Sequence, residues 1–477
     1  MKRVLVLSLC LLGFHPVLMS QERFRKFPPS PEPLQEPRLP NIETVRLSNE
    51  LTLSVAYREN MPVTFLQLII YAGESASPES LPGMASFAAH MVSRGTQTLS
   101  ATSIEERIEQ MGGTFSVSTF MDYSLWTLSF LDEYLDDALN ILSQLILSPA
   151  FAEREIDTVK RILFYDLLEK EKDPEFSAKR HLQRILFKNH PYQKGTFNER
   201  VIRNLNQKDL ISFFQKYYRP NNAHIILIGN LNMPTASRKV SHYLNTWVPQ
   251  AVEENLYFSP PKPNEKEKVC FIDVPHVKDC IIYLGNTILS LSQPDSYAFF
   301  VLNQVLGGAP ISRLFMNLRE SKGYAYYAYS DMEFYRLCGI FFVRARVTPE
   351  VIYSSVQEII KEIRVLTKEP ISIFEIEQAK SYLMGNFPLR FESWDNLARK
   401  IAEMKALYLE DNYWRNFCKN IMLVNSENVF ETSHQYPLLT PMIVIAGDKE
   451  ILLGQLKDFD VVEVYDNKGI FQYSIQK

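Results

Sequence analysis

His90, in the stretch Ser86 to Thr96 (SFAAHMVSRGT), is the residue around which metal chemistry could be built. The apolar spacing of Met84 to Arg94 predicts a helix. On a helix, side chains four apart share a face, so two imidazoles can grip one zinc ion. A carboxylate beside them can then take a proton from the metal-bound water. Four residues before His90 stands Ser86, a poor zinc ligand, and one residue before it stands Ala89, which accepts no proton. His181, His190, His224, His242, His276 and His434 are scattered, none three to five residues from His90. No H-x-H or C-x-x-C spacing offers another metal site. The frame of a site is present without its chemistry.

Elements that could hold such a frame come next. The chain has 477 residues, 46% of them hydrophobic and 22% charged, as in globular protein of two or three domains. A net charge of −4 gives no electrostatic case for nucleic acid as a partner. MKRVLVLSLCLLGFHPVLMSQE has the basic start, apolar run and small residue (Ser20) of a secretory signal, so residues 1–20 are expected to be removed on export, to a bacterial periplasm or beyond. No later stretch is long and apolar enough to span a bilayer. Of the four remaining cysteines, Cys270 and Cys280 lie on segments that could be neighbouring strands. A disulfide and a pair of buried thiols both stay open, as does the state of Cys338 and Cys418.

Residues 21–40 are Pro-rich and polar, an extended tether, and 249–268 have the composition of a linker. The two segments between and after them, 41–248 and 269–477, follow one plan. Each begins with alternating strands (LTLSVAY and VTFLQLII; KVCFID and CIIYLGNTI) and continues with a helix. A strand pair follows (GTFSVSTF and LWTLSFL; YAYYAYS and GIFFVRARV), then long amphipathic helices and a late strand (AHIILIGNL; PMIVIAGD). Apolar residues such as Ile156, Val159, Ile162 and Leu163 recur at helical spacing and read as core. The fold expected is α+β: two tandem homologous domains, each an antiparallel-rich mixed sheet packed with helices.

LPGMASFAAHMVSRGT, IEERIEQMGGTFSVSTF, HPYQKGTFNERVIRNLNQKDLISFFQKYYRPNNAHIILIGNL and SRLFMNLRESKGYAYYAYS occur in an order that gives the chain its resemblance. Across nearly all of the mature sequence it resembles the insulinase/pitrilysin superfamily of inverzincin metallopeptidases. The two-domain type of mitochondrial processing peptidase is the nearest pattern. Active members carry H-x-x-E-H. Laid on that motif, this chain has Ser86 at the first zinc His, Ala89 at the catalytic Glu and His90 at the second His. Asp166 stands where the third ligand, a Glu, is expected. The resemblance therefore implies a degenerate zinc motif and a chain that binds no metal and cuts no peptide alone, with His90 hydrogen-bonded as a structural remnant.

The same resemblance implies roles elsewhere. Arg319 and Tyr326, seven residues apart in LRESKGYAYYAYS, match an Arg/Tyr pair that reaches the zinc site of an opposing domain. A guanidinium and a phenol there hold substrate and stabilise an oxyanion. Gly113, Thr114, Phe115, Ser116 and Val117 match the strand edge on which extended peptide pairs. The VLGGAPIS loop (305–312) is shorter than the glycine-rich loop of the processing peptidase's non-catalytic subunit and reads as a turn. The expected assembly is a clam-shell dimer with an H-x-x-E-H chain that brings the zinc. Two alternatives remain: a scaffold like the core subunits of the respiratory bc1 complex, and an unorthodox metal site using His90 and Asp166.

Overall fold

The computed structural model describes residues 39–477 except 60–61, 195–196, 253–260, 263–265 and 437. The expected signal, nearly all of the Pro-rich segment and much of the 249–268 linker lie outside the described residues. The described residues form one compact unit.

Two sheets organise it. The first contains β1 (Ile42–Arg46), β2 (Thr52–Tyr57), β3 (Val63–Ile70), β4 (Thr114–Thr119), β5 (Ser124–Leu131) and β6 (Ala223–Gly229), in the order β1-β2-β6-β3-β5-β4. The second contains β7 (Lys268–Asp273), β8 (Cys280–Ile288), β9 (Ala325–Phe334), β10 (Gly339–Val347), β11 (Met442–Gly447), β12 (Val461–Asp466) and β13 (Phe471–Gln476), in the order β13-β12-β7-β11-β8-β10-β9. The series β2-β6-β3-β5-β4 matches β7-β11-β8-β10-β9 strand for strand. In each, one parallel pair is followed by three antiparallel pairs. The repeat seen in sequence is thus a repeat of topology. The cysteine expectation is corrected here: β11 lies between β7 and β8, so Cys270 and Cys280 are not on neighbouring strands, and both are buried free thiols.

Side chains alternate across each strand, so a sheet buried on both faces needs two sets of helices. On one face, Leu53, Val55, Leu66 and Leu68 pack on helices of the same half, among them Met84–Val92 and Leu135–Leu147. The other face is covered by exchange. Helix Trp394–Ala406 of the second half lays Leu397, Ala398, Ile401 and Ala402 on Ala56, Phe65, Ile69 and Ile226 of the first sheet. Helix Pro174–Leu186 of the first half lays Ala178, Leu182 and Leu186 on Cys270, Ile272, Ile281 and Val444 of the second. Asp122 reinforces the junction, accepting hydrogen bonds from Tyr192 Oη (2.6 Å) and from the Arg336 N–H (2.8 Å). His224 is a core histidine, bonded through Nε2 to Ser54 (2.8 Å), and burial pushes its pKa down to about 3.

One core expectation is not met. On helix Glu153–Lys170, Ile156 and Val159 are buried, but Leu163 is half-buried and Ile162 is 49% exposed. The apolar stripe is wider than the surface the rest of the chain offers it.

Candidate functional site

Helix Met84–Val92 lies against edge strand β4 and helix Glu153–Lys170. Gly83 begins it in a left-handed conformation (φ 90°), where a side chain would collide with the Phe197 ring. Glycine supplies no side-chain cap, so the first-turn N–H groups find acceptors from the preceding loop. Ser77 Oγ accepts from the Ala85 N–H (3.0 Å), and the buried Glu74 carboxylate accepts from the Ser86 N–H (3.2 Å). Glu74 also accepts the hydroxyl hydrogens of Ser77 (3.1 Å) and Ser86. A negative charge at the positive end of a helix is favoured. Glycine at position 73 lets this loop approach, because a Cβ there would stand 2.2 Å from the Phe120 carbonyl oxygen.

Glu74 is the residue that sequence reasoning missed. It ties down Ser86, the residue that the resemblance leads one to expect at the first zinc position of H-x-x-E-H. Burial raises the Glu74 pKa, against the lowering effect of the Ser86 and Ser77 hydrogen bonds. The folded state therefore holds this proton more tightly than the unfolded chain. Its stabilising contribution is complete below the unfolded carboxylate range and is lost as pH rises through the raised folded value. Glu74→Gln should flatten that slope, measured as urea-unfolding free energy from acid to neutral pH. Glu74→Ala should cost about 1–3 kcal/mol, since it orphans buried hydrogen-bonding groups.

The remaining motif residues do not fit a zinc ion. Ala89 is fully buried and has no donor atom. The His90 ring reaches solvent and makes no hydrogen bond to a described residue, so its expected role as a hydrogen-bonded remnant is not met. Crowding by neighbouring atoms lowers its pKa, Arg94 and Lys170 add to the shift, and Asp166 opposes it. Asp166 is exposed and paired with Lys170 (2.8 Å). Among the described residues, no group of three or more His, Cys, Asp and Glu lies together as a metal site would require. A bound zinc would have to compete with Glu74 for Ser86 and with Lys170 for Asp166.

β4 stands at one edge of the first sheet. Gly113 leads into β4, and a Cβ there would meet the Ser129 carbonyl oxygen at 2.2 Å. Phe115 and Val117 pack inward, Phe115 edge-on to Trp126, while Thr114 and Ser116 face solvent. The strand pairs only with β5 among the described residues, which leaves its outer backbone groups available.

Arg319 and Tyr326 flank one turn in the second half, and both sit on irregular backbone. Arg319 belongs to the wide-wound π-helical segment Phe315–Ser321, where the Lys322 N–H reaches back five residues to Asn317 (3.0 Å). Its guanidinium lies 4.8 Å over the Phe315 ring and 3.7 Å from Glu320, with half of the side chain exposed. Tyr326 is the extra residue of a β-bulge: Val347 pairs with Ala325 and Arg346 with Tyr327. It is 65% exposed, at the start of edge strand β9. Further along that edge, the Ser330 N–H donates to the Gly307 carbonyl (3.1 Å), so the short glycine loop covers the strand's middle.

Comparison with known proteins agrees with this architecture. Residues 54–200 match the family model described as insulinase (peptidase family M16), and residues 204–383 match the peptidase M16 inactive domain. A protein of Helicobacter pylori named a non-peptidase homolog, YmxG, is 29% identical over 72% of this chain and 80% of its own length. An uncharacterized zinc protease YmxG of Bacillus subtilis is 23% identical over 79% of this chain and 91% of its own. Among solved structures, a peptidase M16 inactive domain from Pseudomonas fluorescens superposes with a TM-score of 0.78 at 21% identity, covering 86% of this chain and 98% of that one. A protease from Helicobacter pylori gives 0.74 at 19% identity, covering 86% and 99%. Both show the same two-sheet fold. With the family models spanning most of residues 54–383 and the fold shared, the chain belongs to the insulinase family, peptidase family M16.

Proposed function

We propose that this chain is a non-catalytic subunit of an exported zinc metallopeptidase, completing the site of a partner chain that carries H-x-x-E-H. Its domains, 41–248 and 269–477, form half of a clam-shell. The partner holds the zinc and the general base. This chain lends Arg319 and Tyr326 across the chamber, and β4 offers an edge on which an extended peptide can pair.

One observation carries this reading. The two residues that a partner could use are presented outward on a π-helical turn and a β-bulge, while the chain's own zinc position is tied up by Glu74. Both irregularities re-aim side chains and cost backbone regularity, so their coincidence beside one turn favours a use for Arg319 and Tyr326. The Helicobacter pylori relative named a non-peptidase homolog supports the pseudo-peptidase half of the reading. Among the described residues no helix is long and apolar enough to cross a membrane.

Cleavage of an unfolded protein substrate, assayed with this chain alone, the H-x-x-E-H partner alone and the two together, tests the proposal. Activity is expected only from the pair, with zinc in the partner. Equal activity of the partner with and without this chain would sink the proposal.

A further inference from the structure

Behind the start of helix Met84–Val92 lies a cleft of about 1020 Å³ that the peptidase reading does not use. It is lined by Arg180, Arg184, Lys194, Arg200, Arg203 and Lys468, against only two carboxylates, Glu79 and Glu199. Glu199 is engaged by Arg203 (2.6 Å) and Lys468 (3.4 Å), and Arg180 by Glu171 (3.2 Å). Arg184, Lys194 and Arg200 have no carboxylate at ion-pair distance among the described residues. Arg184 Nη1 donates to the Lys468 and Gly469 carbonyls, at 3.5 and 3.3 Å. Lys194 Nζ donates to the Ser75 and Ser77 carbonyls, at 3.3 and 2.8 Å.

Like charges gathered in a concave wall focus the field within it, here in a chain whose net charge is −4. Burial and the neighbouring Arg180 lower the Arg184 pKa, a strain that a bound anion would relieve. Amides complete the wall, including Gln183, Asn189 and Gln193. None of the described residues that line the cleft belongs to a strand, so its wall offers no backbone ladder to an extended peptide.

We propose that this cleft is a binding site for a small oxyanion carrying several negative charges, a polyphosphate or a polycarboxylate. Guanidinium groups suit both, their planar fork pairing two N–H donors with two oxygens of one carboxylate or one phosphate group. The lining comes from the first half and from the turn joining β12 to β13, so the ligand ties the C-terminal hairpin to the first half. Lys194 links the cleft to Ser77, the residue that caps helix Met84–Val92. Occupancy would therefore steady the helix of the degenerate zinc motif.

The test is titration calorimetry of the full chain at low ionic strength, with inorganic tripolyphosphate and with citrate as separate probes. Binding of either is expected, and whichever binds identifies phosphate or carboxylate as the preferred source. The variant Arg184→Gln/Arg200→Gln should weaken that binding about tenfold or more, as loss of charge-assisted contacts does. Lys419→Gln removes the same kind of charge from an exposed helix outside the cleft and should leave binding unchanged. Arg200 is exposed and without a described partner, so Arg200→Gln alone keeps the test sound should the double variant fold poorly. No heat with either probe, or an equal loss in the Lys419 variant, would overturn the proposal.

Discussion

Alanine in place of Arg319 is expected to lower kcat/KM of the assembled pair about 10²–10³-fold, the usual cost of removing one preorganised donor to an oxyanion. The loss should fall on kcat as well as on KM, because the interaction strengthens as charge develops in the transition state. Stoichiometry and zinc content of the pair should not change. The residue gives little to this chain's own fold: half of its side chain is exposed, and its contacts are a cation–π approach to Phe315 and a long ion pair with Glu320. Unfolding of the isolated variant should therefore shift by no more than about 0.5 kcal/mol. Tyr326→Phe, which keeps the ring at the bulge and removes the hydroxyl, should act in the same direction by a smaller factor. Full activity in the Arg319→Ala pair would leave the two irregular segments without a functional reason.

Leu182→Ala and Ile401→Ala should each destabilise the chain by about 2–5 kcal/mol, the range for emptying a buried aliphatic site. Leu182 is 1% exposed and Ile401 3% exposed, each on the helix that one half lends to the other's sheet. One face of each sheet depends on this exchange, so neither half is expected to unfold alone. Trp126 reports on the first half and Trp414 on the second, and both are buried. Urea unfolding followed by the fluorescence of variants retaining one or the other should give coincident transitions, before and after each substitution. Two separated transitions would mean that the exchanged helices are not the main lock between the halves.

Much of the scaffold was legible because its physics is local. Strands β2, β3, β7 and β8 are written as short apolar runs and the helices as three- and four-residue spacings, and the two halves repeat the order. What periodicity does not encode is the surface that an apolar face will meet. Nothing in Leu182 or Ile401 tells that each packs on the sheet of the other half, and Ile162 continues a stripe yet stays exposed. The placing of β11 between β7 and β8, which separates Cys270 from Cys280, is a long-range pairing that strand propensity cannot specify.

The site divides in the same way. The expectation that Ser86 and Ala89 replace a zinc ligand and a general base rests on residue identity alone and needs no fold. Glu74 lies twelve residues before Ser86, in a turn whose course depends on the close approach allowed by Gly73. A charged residue between two small ones (GES) just after the strand VTFLQLII was the available hint. The π-helical winding at Arg319 and the bulge at Tyr326 are backbone events, the bulge set by how β9 registers on β10. Residue types there named the chemistry, but its presentation waited for the fold.

The central claim, a division of labour between two chains, is tested most directly by purifying the tagged protein from its native host and identifying what accompanies it. The account predicts an exported chain bearing H-x-x-E-H, at about one to one as a two-chain clam-shell requires. Recovery of this chain alone, or only with partners that lack the motif, would contradict it and leave a scaffold or binding protein in its place.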